Sequence, residues 1–152
     1  MNTGVSTNGR GDGLPGFDVV VEEPVPWMLL VRVRGALDAT TVLKLREIVD
    51  GRLTWSRPCR LVIELSDVTL LSSAGLDFLR HLHRRSRAED VHLMLVGAGN
   101  RAVHRPLRLT GLLALFDTRP TVAHALVGSA ACPAWHRTDA TAATALDETR
   151  GV

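Results

Sequence analysis

Strand-like and helix-like segments alternate along most of the chain, and this alternation limits the available folds more than any other feature. Apolar runs typical of strands lie at residues 17–21, 27–33, 60–65, 91–96 and 112–116. Apolar residues at helical spacing lie at 38–53, 73–87, 100–109 and 121–127. The predicted order β β α β α β α β α favours an α/β fold. It would hold a mixed, mostly parallel sheet of four or five strands and about four helices. The first two strands are predicted to be antiparallel, because a short turn joins them.

The helix predicted at 100–109 contains a proline. Either Pro106 lies in the helix interior, at a cost of about 3 kcal/mol, or the helix starts near Arg105 with Pro106 in its first turn. Gly111 is expected to end it, and residues 112–116 are expected to form a short strand.

The chain of 152 residues has room for one domain. Residues 1–16 are rich in Gly and Asn and are predicted to be a flexible tail. Residues 17–127 form the predicted domain. Residues 128–152 are rich in Ala and Thr and are predicted to be a weakly ordered tail.

Composition excludes several classes of function. The formal net charge is +2, too small to predict nucleic-acid binding from bulk electrostatics. No apolar run is long enough to span a bilayer, and residues 1–16 lack the apolar core of a signal peptide. The two cysteines, Cys59 and Cys132, have no metal-ligand spacing and are expected to be free thiols. We therefore predict a cytoplasmic protein with no membrane partner.

The segment from Leu61 to Leu76, LVIELSDVTLLSSAGL, carries the strongest functional signal. The strand is expected to end near Leu65, and the next helix to begin at Ser72 or Ser73. A serine at a helix start is explained by capping. Capping does not explain Ala74 and Gly75, since Gly in the first turn costs about 1 kcal/mol relative to Ala. Small residues there predict a surface that a partner approaches closely.

The same segment resembles the STAS domain, the fold of bacterial anti-sigma factor antagonists. In those antagonists a strand is followed by Asp-Ser-x-Gly-Leu at a helix start, and here the matching residues are Ser72-Ser73-Ala74-Gly75-Leu76. A second match is Gly35-Ala36-Leu37-Asp38 followed by Thr40 and Thr41. A third runs from Leu95-Val-Gly-Ala through Leu109-Thr-Gly-Leu112 to Leu115-Phe116. Together the matches cover residues 19–126.

The resemblance implies a partner-switching function. The family serine is phosphorylated by the anti-sigma factor, a serine kinase, and this position falls on Ser73, with Ser72 a second candidate. The unmodified protein would bind the anti-sigma factor and release a sigma factor, and a phosphatase would reset the cycle. Predicted partner-binding residues are Asp38, Thr40, Ser72, Ser73, Ala74 and Gly75. Asp38 or Thr40 is also a plausible N-cap of the helix predicted at 38–53, which would explain Asp38 without a partner. No catalytic residue and no metal is predicted. No cofactor is predicted either, because ATP would belong to the partner.

The sequence departs from the family pattern at two positions and leaves other interpretations open. The family Asp is Ser72 here, and the family Glu before Leu37 is Ala36. The first change makes a non-phosphorylated STAS scaffold, in a signalling or lipid-transport complex, the main alternative. Ser73-Ala74-Gly75 also resembles half of a serine-hydrolase nucleophile turn, with His124 a conceivable base. The sequence from Gly97 to Ala102 fits the dinucleotide pattern G-x-G-x-x-A, which a small-residue turn before a helix also explains.

Overall fold

The computed structural model describes residues 16–127 and contains one five-stranded sheet. Its strands are β1 (Asp18–Val25), β2 (Met28–Leu37), β3 (Arg60–Leu71), β4 (His92–Val96) and β5 (Asp117–Arg119). They lie side by side in the order in which they occur along the chain. The β1 strand is antiparallel to β2, and the remaining neighbours are parallel. The predicted α/β fold with a mixed, mostly parallel sheet is confirmed.

The helices cover the two faces of the sheet unequally. They are α1 (Ala39–Ser56), α2 (Ser73–Ala88), α3 (Arg101–Leu109) and α4 (Val122–Val127), with a 3-10 helix at Leu112–Leu115. Buried residues of α1, α2 and α3 share one core cluster with alternate residues of β1 to β4. The intervening residues, such as Met28, Leu30, Val62 and Met94, face the other way and pack with Ala125 of α4. The first face therefore holds the larger core.

The β3 strand is longer than the sequence predicted. It does not end near Leu65 but continues through Ser66 to Leu71 and pairs with the end of β2. Two register shifts between β2 and β3 break the regular alternation of inward and outward side chains. The exposed pair Ser66-Asp67 lies within this irregular ladder, which is why it resembled a connection.

Two predictions about the last third of the domain are corrected. The α3 helix begins at Arg101 and keeps Pro106 in its interior, so the alternative start near Arg105 is wrong. Fully buried Val103 and Leu107 anchor this helix on the core. Residues 112–115 form a 3-10 helix and not a strand, and β5 begins only at Asp117. A short apolar run fits either structure, because periodicity does not distinguish them at this length.

The expectation of a free thiol is wrong for Cys59. This residue is buried beside the start of β3 and is disulfide-bonded. Sequence context does not show which side chains a fold brings together. Cys132 lies outside the described residues. The two predicted tails also lie outside them, except for Gly16 at the end of the first tail.

Candidate functional site

Helices α1 and α2 begin side by side at one edge of the sheet. Leu37, the last residue of β2, is paired with Leu71, the last residue of β3. Immediately beyond this pair, the backbone N–H of Ser72 donates to the carbonyl oxygen of Leu37 at 2.9 Å. The carboxyl ends of parallel strands meet at one edge, so the two helix starts that the sequence singled out are neighbours.

Asp38 is the N-cap of α1. Its Oδ1 accepts hydrogen bonds from the backbone N–H groups of Thr40 and Thr41, each at 3.0 Å. Thr41 completes the cap, because its hydroxyl accepts from the Asp38 N–H at 2.9 Å and donates to the carbonyl oxygen of Ala36 at 2.7 Å. Thr40, the alternative cap, lies exposed in the first turn. Thr41 is not among the predicted site residues, although Asp-x-x-Thr has the spacing of a capping box.

The cap also determines the charge of Asp38. The Thr41 backbone N–H is the largest influence and lowers the pKa of this carboxyl; burial opposes it, and the Thr40 N–H lowers the pKa further. The net result is a pKa below the ordinary value. Asp38 therefore carries a negative charge at neutral pH beside the start of α2.

The two serines at the start of α2 lie in opposite environments. Ser72 is the N-cap by backbone position, but its side chain makes no capping hydrogen bond. Its Oγ is buried and has no hydrogen-bond partner within residues 16–127. Ser73, the first residue of the helix, is exposed. Of the two candidate hydroxyls, only that of Ser73 belongs to an exposed residue.

Gly75 is explained by packing inside the domain. It is buried, and a Cβ at this position would lie 2.6 Å from Cδ1 of Leu71 and 3.2 Å from Cβ of Leu37. Glycine therefore lets the first turn of α2 rest directly on the ends of β2 and β3. Ala74 is half-buried against the same core. Among the residues predicted to bind a partner, Thr40 and Ser73 are the most accessible.

Among the described residues, no histidine that could act as a base is hydrogen-bonded to Ser73. Three histidines of the domain have other neighbours: His81 Nε2 lies 4.0 Å from Asp50, and the ring of His83 packs edge-on against Phe116 at 5.6 Å. His124 Nδ1 lies 2.6 Å from the Thr121 hydroxyl. Within residues 16–127, no histidine, cysteine or acidic residues cluster in a way that could hold a metal ion.

The glycine-rich turn before α3 packs against β3. A Cβ at Gly97 would collide with Ser66, so Gly97 is required by close contact between two parts of the chain. The Asn100 amide donates to the carbonyl oxygens of Leu65, Ser66 and Val68. This arrangement supports the interpretation as a small-residue turn, because it explains Gly97 without a phosphate ligand.

Comparison with known families identifies the fold. The STAS domain profile matches residues 17–125. The chain belongs to the STAS domain family. The match spans both helix starts and all five strands, as the resemblance predicted. No curated protein sequence matches this STAS protein significantly.

Solved structures agree with the family assignment. The chain is similar to an anti-sigma factor antagonist from Mycobacterium paratuberculosis, with 30% identity and a TM-score of 0.65, over 76% of this chain and 96% of the other. A putative anti-sigma factor antagonist from Thermotoga maritima has 18% identity and a TM-score of 0.63, over 74% and 92%. The phosphorylated form of the Bacillus cell fate determinant SpoIIAA has 13% identity and a TM-score of 0.57, over 70% and 95%. The latter two show the shared fold alone.

Within the described part of this STAS protein, no helix combines the length and apolarity needed to cross a membrane.

Proposed function

We propose that this STAS protein is a non-catalytic, cytoplasmic anti-sigma factor antagonist. It binds an anti-sigma factor that is also a serine kinase, and the binding releases a sigma factor. Phosphorylation of Ser73 causes the complex to dissociate, and a separate phosphatase restores binding by removing the phosphate. The similarity to an anti-sigma factor antagonist at 30% identity supports the general role.

The observation that carries the proposal is the contrast between Ser72 and Ser73. A kinase needs an accessible hydroxyl, and Ser73 is exposed whereas the Ser72 Oγ is buried. Ser73 also stands at the position of the family's phosphorylated serine. The existence of a phosphorylated form of SpoIIAA, which shares this fold, is consistent with the proposal.

The position of Ser73 suits a switch that acts on the partner and leaves the domain folded. A phosphoserine adds a charge of roughly −1.5 to −2 at neutral pH. The N–H groups and dipole at the start of α2 favour a negative charge there, so the helix tolerates the phosphate. A partner packed on the same surface must instead accommodate a bulky dianion. A loss of about 2.7 kcal/mol would lower its affinity roughly a hundredfold.

The test uses the full chain, an anti-sigma kinase from the same genome and ATP. Mass spectrometry should place the phosphate on Ser73, and titration calorimetry should show that the complex is lost. Ser73→Ala should bind with wild-type affinity and resist phosphorylation, and Ser73→Asp should bind more weakly. Ser72→Ala is the matched control and should be phosphorylated like the wild type.

Two outcomes would contradict the proposal. Equal binding by Ser73→Ala, Ser73→Asp and the phosphorylated protein would rule out the switch. Stable binding with no phosphate on Ser72 or Ser73 would instead favour a constitutive antagonist or a STAS scaffold.

A further inference from the structure

Five exposed residues form one continuous face of α2 that begins at Ser73. They are spaced three or four positions apart, and at 100° per residue they fall within an arc of about 80°. We call this face the α2 stripe; it contains Ser73, Asp77, Arg80, Arg84 and Arg87. At 1.5 Å per residue it is about 21 Å long. The candidate phosphorylation site is thus one end of a longer surface, and the other end is basic.

The three arginines of the α2 stripe differ from other arginines of the domain in their ion pairing. Within residues 16–127, none of them lies within 4.0 Å of a carboxylate oxygen. Arg85, on another side of the same helix, pairs with both Asp50 and Glu89. Arg32, on the sheet, pairs with Glu22 and Glu64. Among the described residues, the positive charge of these three arginines is therefore not balanced by an ion pair, unlike that of Arg85 and Arg32.

The spacing of the arginines brings like charges together. Arg80 and Arg84 are four residues apart, and Arg84 and Arg87 are three apart; such pairs slightly destabilise a helix. The position of Arg87 in the last turn favours the helix through the dipole, but Arg80 lies near its middle. Helix stability alone does not explain this clustering, whereas binding to an acidic surface does.

We propose that the partner that binds at Ser73 carries an acidic protein surface that lies along α2 and meets Arg80, Arg84 and Arg87. The inference rests on the proposed function, because it takes the anti-sigma factor as the partner. A protein fits better than a nucleic acid or a membrane, because the stripe also contains Asp77 and the whole chain has a charge of only +2. A surface of about 800 Å², the share of one partner in a standard protein interface, is large enough to include the whole stripe.

This surface would make the proposed switch stronger. A phosphate on Ser73 places negative charge on the same helix face that receives the acidic partner. Repulsion then adds to the loss of shape complementarity. The stripe would attract the partner before modification, and the phosphate would repel it afterwards.

The test compares two triple charge reversals that change the net charge equally. The first is Arg80→Glu, Arg84→Glu and Arg87→Glu on α2. The control is Arg101→Glu, Arg105→Glu and Arg108→Glu on α3, whose arginines are also exposed and unpaired within the described residues. Association and dissociation rates with the anti-sigma kinase are measured by surface plasmon resonance at 50 and 200 mM salt. Thermal melting of both variants, expected within about 3 °C of the wild type, checks their folding.

We expect the α2 variant to bind roughly 10- to 100-fold more weakly at 50 mM salt, mainly through slower association, and the difference to shrink at 200 mM. The α3 variant should stay within about threefold of the wild type. If the wild type binds the kinase and the α2 variant binds equally well, the inference fails and the proposed function stands. Equal losses in both variants would also overturn it, as would tighter binding to a DNA duplex or phosphatidylglycerol vesicles than to the kinase. Failure of the wild type to bind any anti-sigma kinase would refute both.

Discussion

Asp38 and Ser72 occupy equivalent positions after neighbouring strands, but only Asp38 caps its helix with its side chain. Asp38 satisfies two of the backbone N–H groups that a helix start leaves unpaired, whereas the Ser72 hydroxyl satisfies none. The two residues should therefore differ in their contribution to stability, although a sequence pattern treats both as N-caps.

We predict that Asp38→Ala lowers the melting temperature by several degrees and that Ser72→Ala changes it little. The first substitution removes a complete capping box, and the second removes no hydrogen bond that the structure contains. Differential scanning calorimetry at neutral pH measures both. Equal losses in the two variants would show that Ser72 caps α2 in solution.

The control for this prediction is Asp38→Asn, which keeps a good capping oxygen but cannot ionise. The pKa of Asp38 is lower in the folded state than in the unfolded state. The negative charge of Asp38 therefore contributes to the free energy of unfolding at pH values above the ordinary carboxyl pKa. That contribution is lost as the pH falls through the lower, folded-state value. The stability difference between wild type and Asp38→Asn should therefore shrink in urea titrations as the pH falls from 5 to about 2. A stability difference between wild type and Asp38→Asn that does not change with pH would contradict the lowered pKa of Asp38.

Gly75 and Gly51 form a second matched pair at the residue scale. Both lie in helices, but a Cβ at Gly75 would strike Leu71, whereas a Cβ at Gly51 would meet no atom of residues 16–127 within 4 Å. We predict that Gly75→Ala lowers the free energy of unfolding by about 1–3 kcal/mol. Gly51→Ala should raise it by roughly 0.5–1 kcal/mol. Urea denaturation measures both, and a neutral Gly75→Ala would show that α2 can shift away from the strands.

At the scale of elements, Asn100 joins α3 to the irregular half of β3. Its side-chain oxygen accepts from the Ala102 N–H at 3.2 Å and caps α3. Its amide nitrogen donates to three carbonyl oxygens of residues 65–68. Because β3 has register shifts there, these bonds help to fix a segment that regular pairing alone does not fix.

We predict that Asn100→Asp lowers the free energy of unfolding by about 2–4 kcal/mol. Aspartate is a good N-cap, so a residue that only caps α3 would tolerate the change. The new carboxylate oxygen would instead face three carbonyl oxygens without a proton to donate. Chemical denaturation gives the loss, and hydrogen exchange should show faster exchange in residues 65–71. A neutral substitution would contradict the clamping role.

Local sequence patterns predicted the positions of helices and strands better than they predicted which of these elements contact one another. The start of α2 at Ser73 and the cap at Asp38 follow from nearby residues, and the structure shows both. The extension of β3 to Leu71 depends on pairing with β2, which no local pattern records. For the same reason Gly75 suggested a partner surface, whereas its closest neighbours are Leu71 and Leu37.

Across the whole molecule, the candidate site and the main buried charge lie at opposite edges of the sheet. Arg60, at the first position of β3, is 2% exposed and donates to the carbonyl oxygen of Ala125 at 2.8 Å. Burial lowers the pKa of this guanidinium, and the charge of Asp117 opposes that effect. Arg60 thus ties α4 to the sheet far from the starts of α1 and α2.

The order of the strands has a consequence for how the domain forms. Each strand lies next to the one that precedes it in the chain, so no strand must wait for a later one to provide its neighbour. During synthesis the sheet can grow at one edge as the chain leaves the ribosome, and its pairings span comparatively short sequence separations. The β2 and β3 strands, which carry the two helix starts, can pair before the last third of the domain is made. The surface that would meet a partner is thus among the first parts of the fold that can be completed.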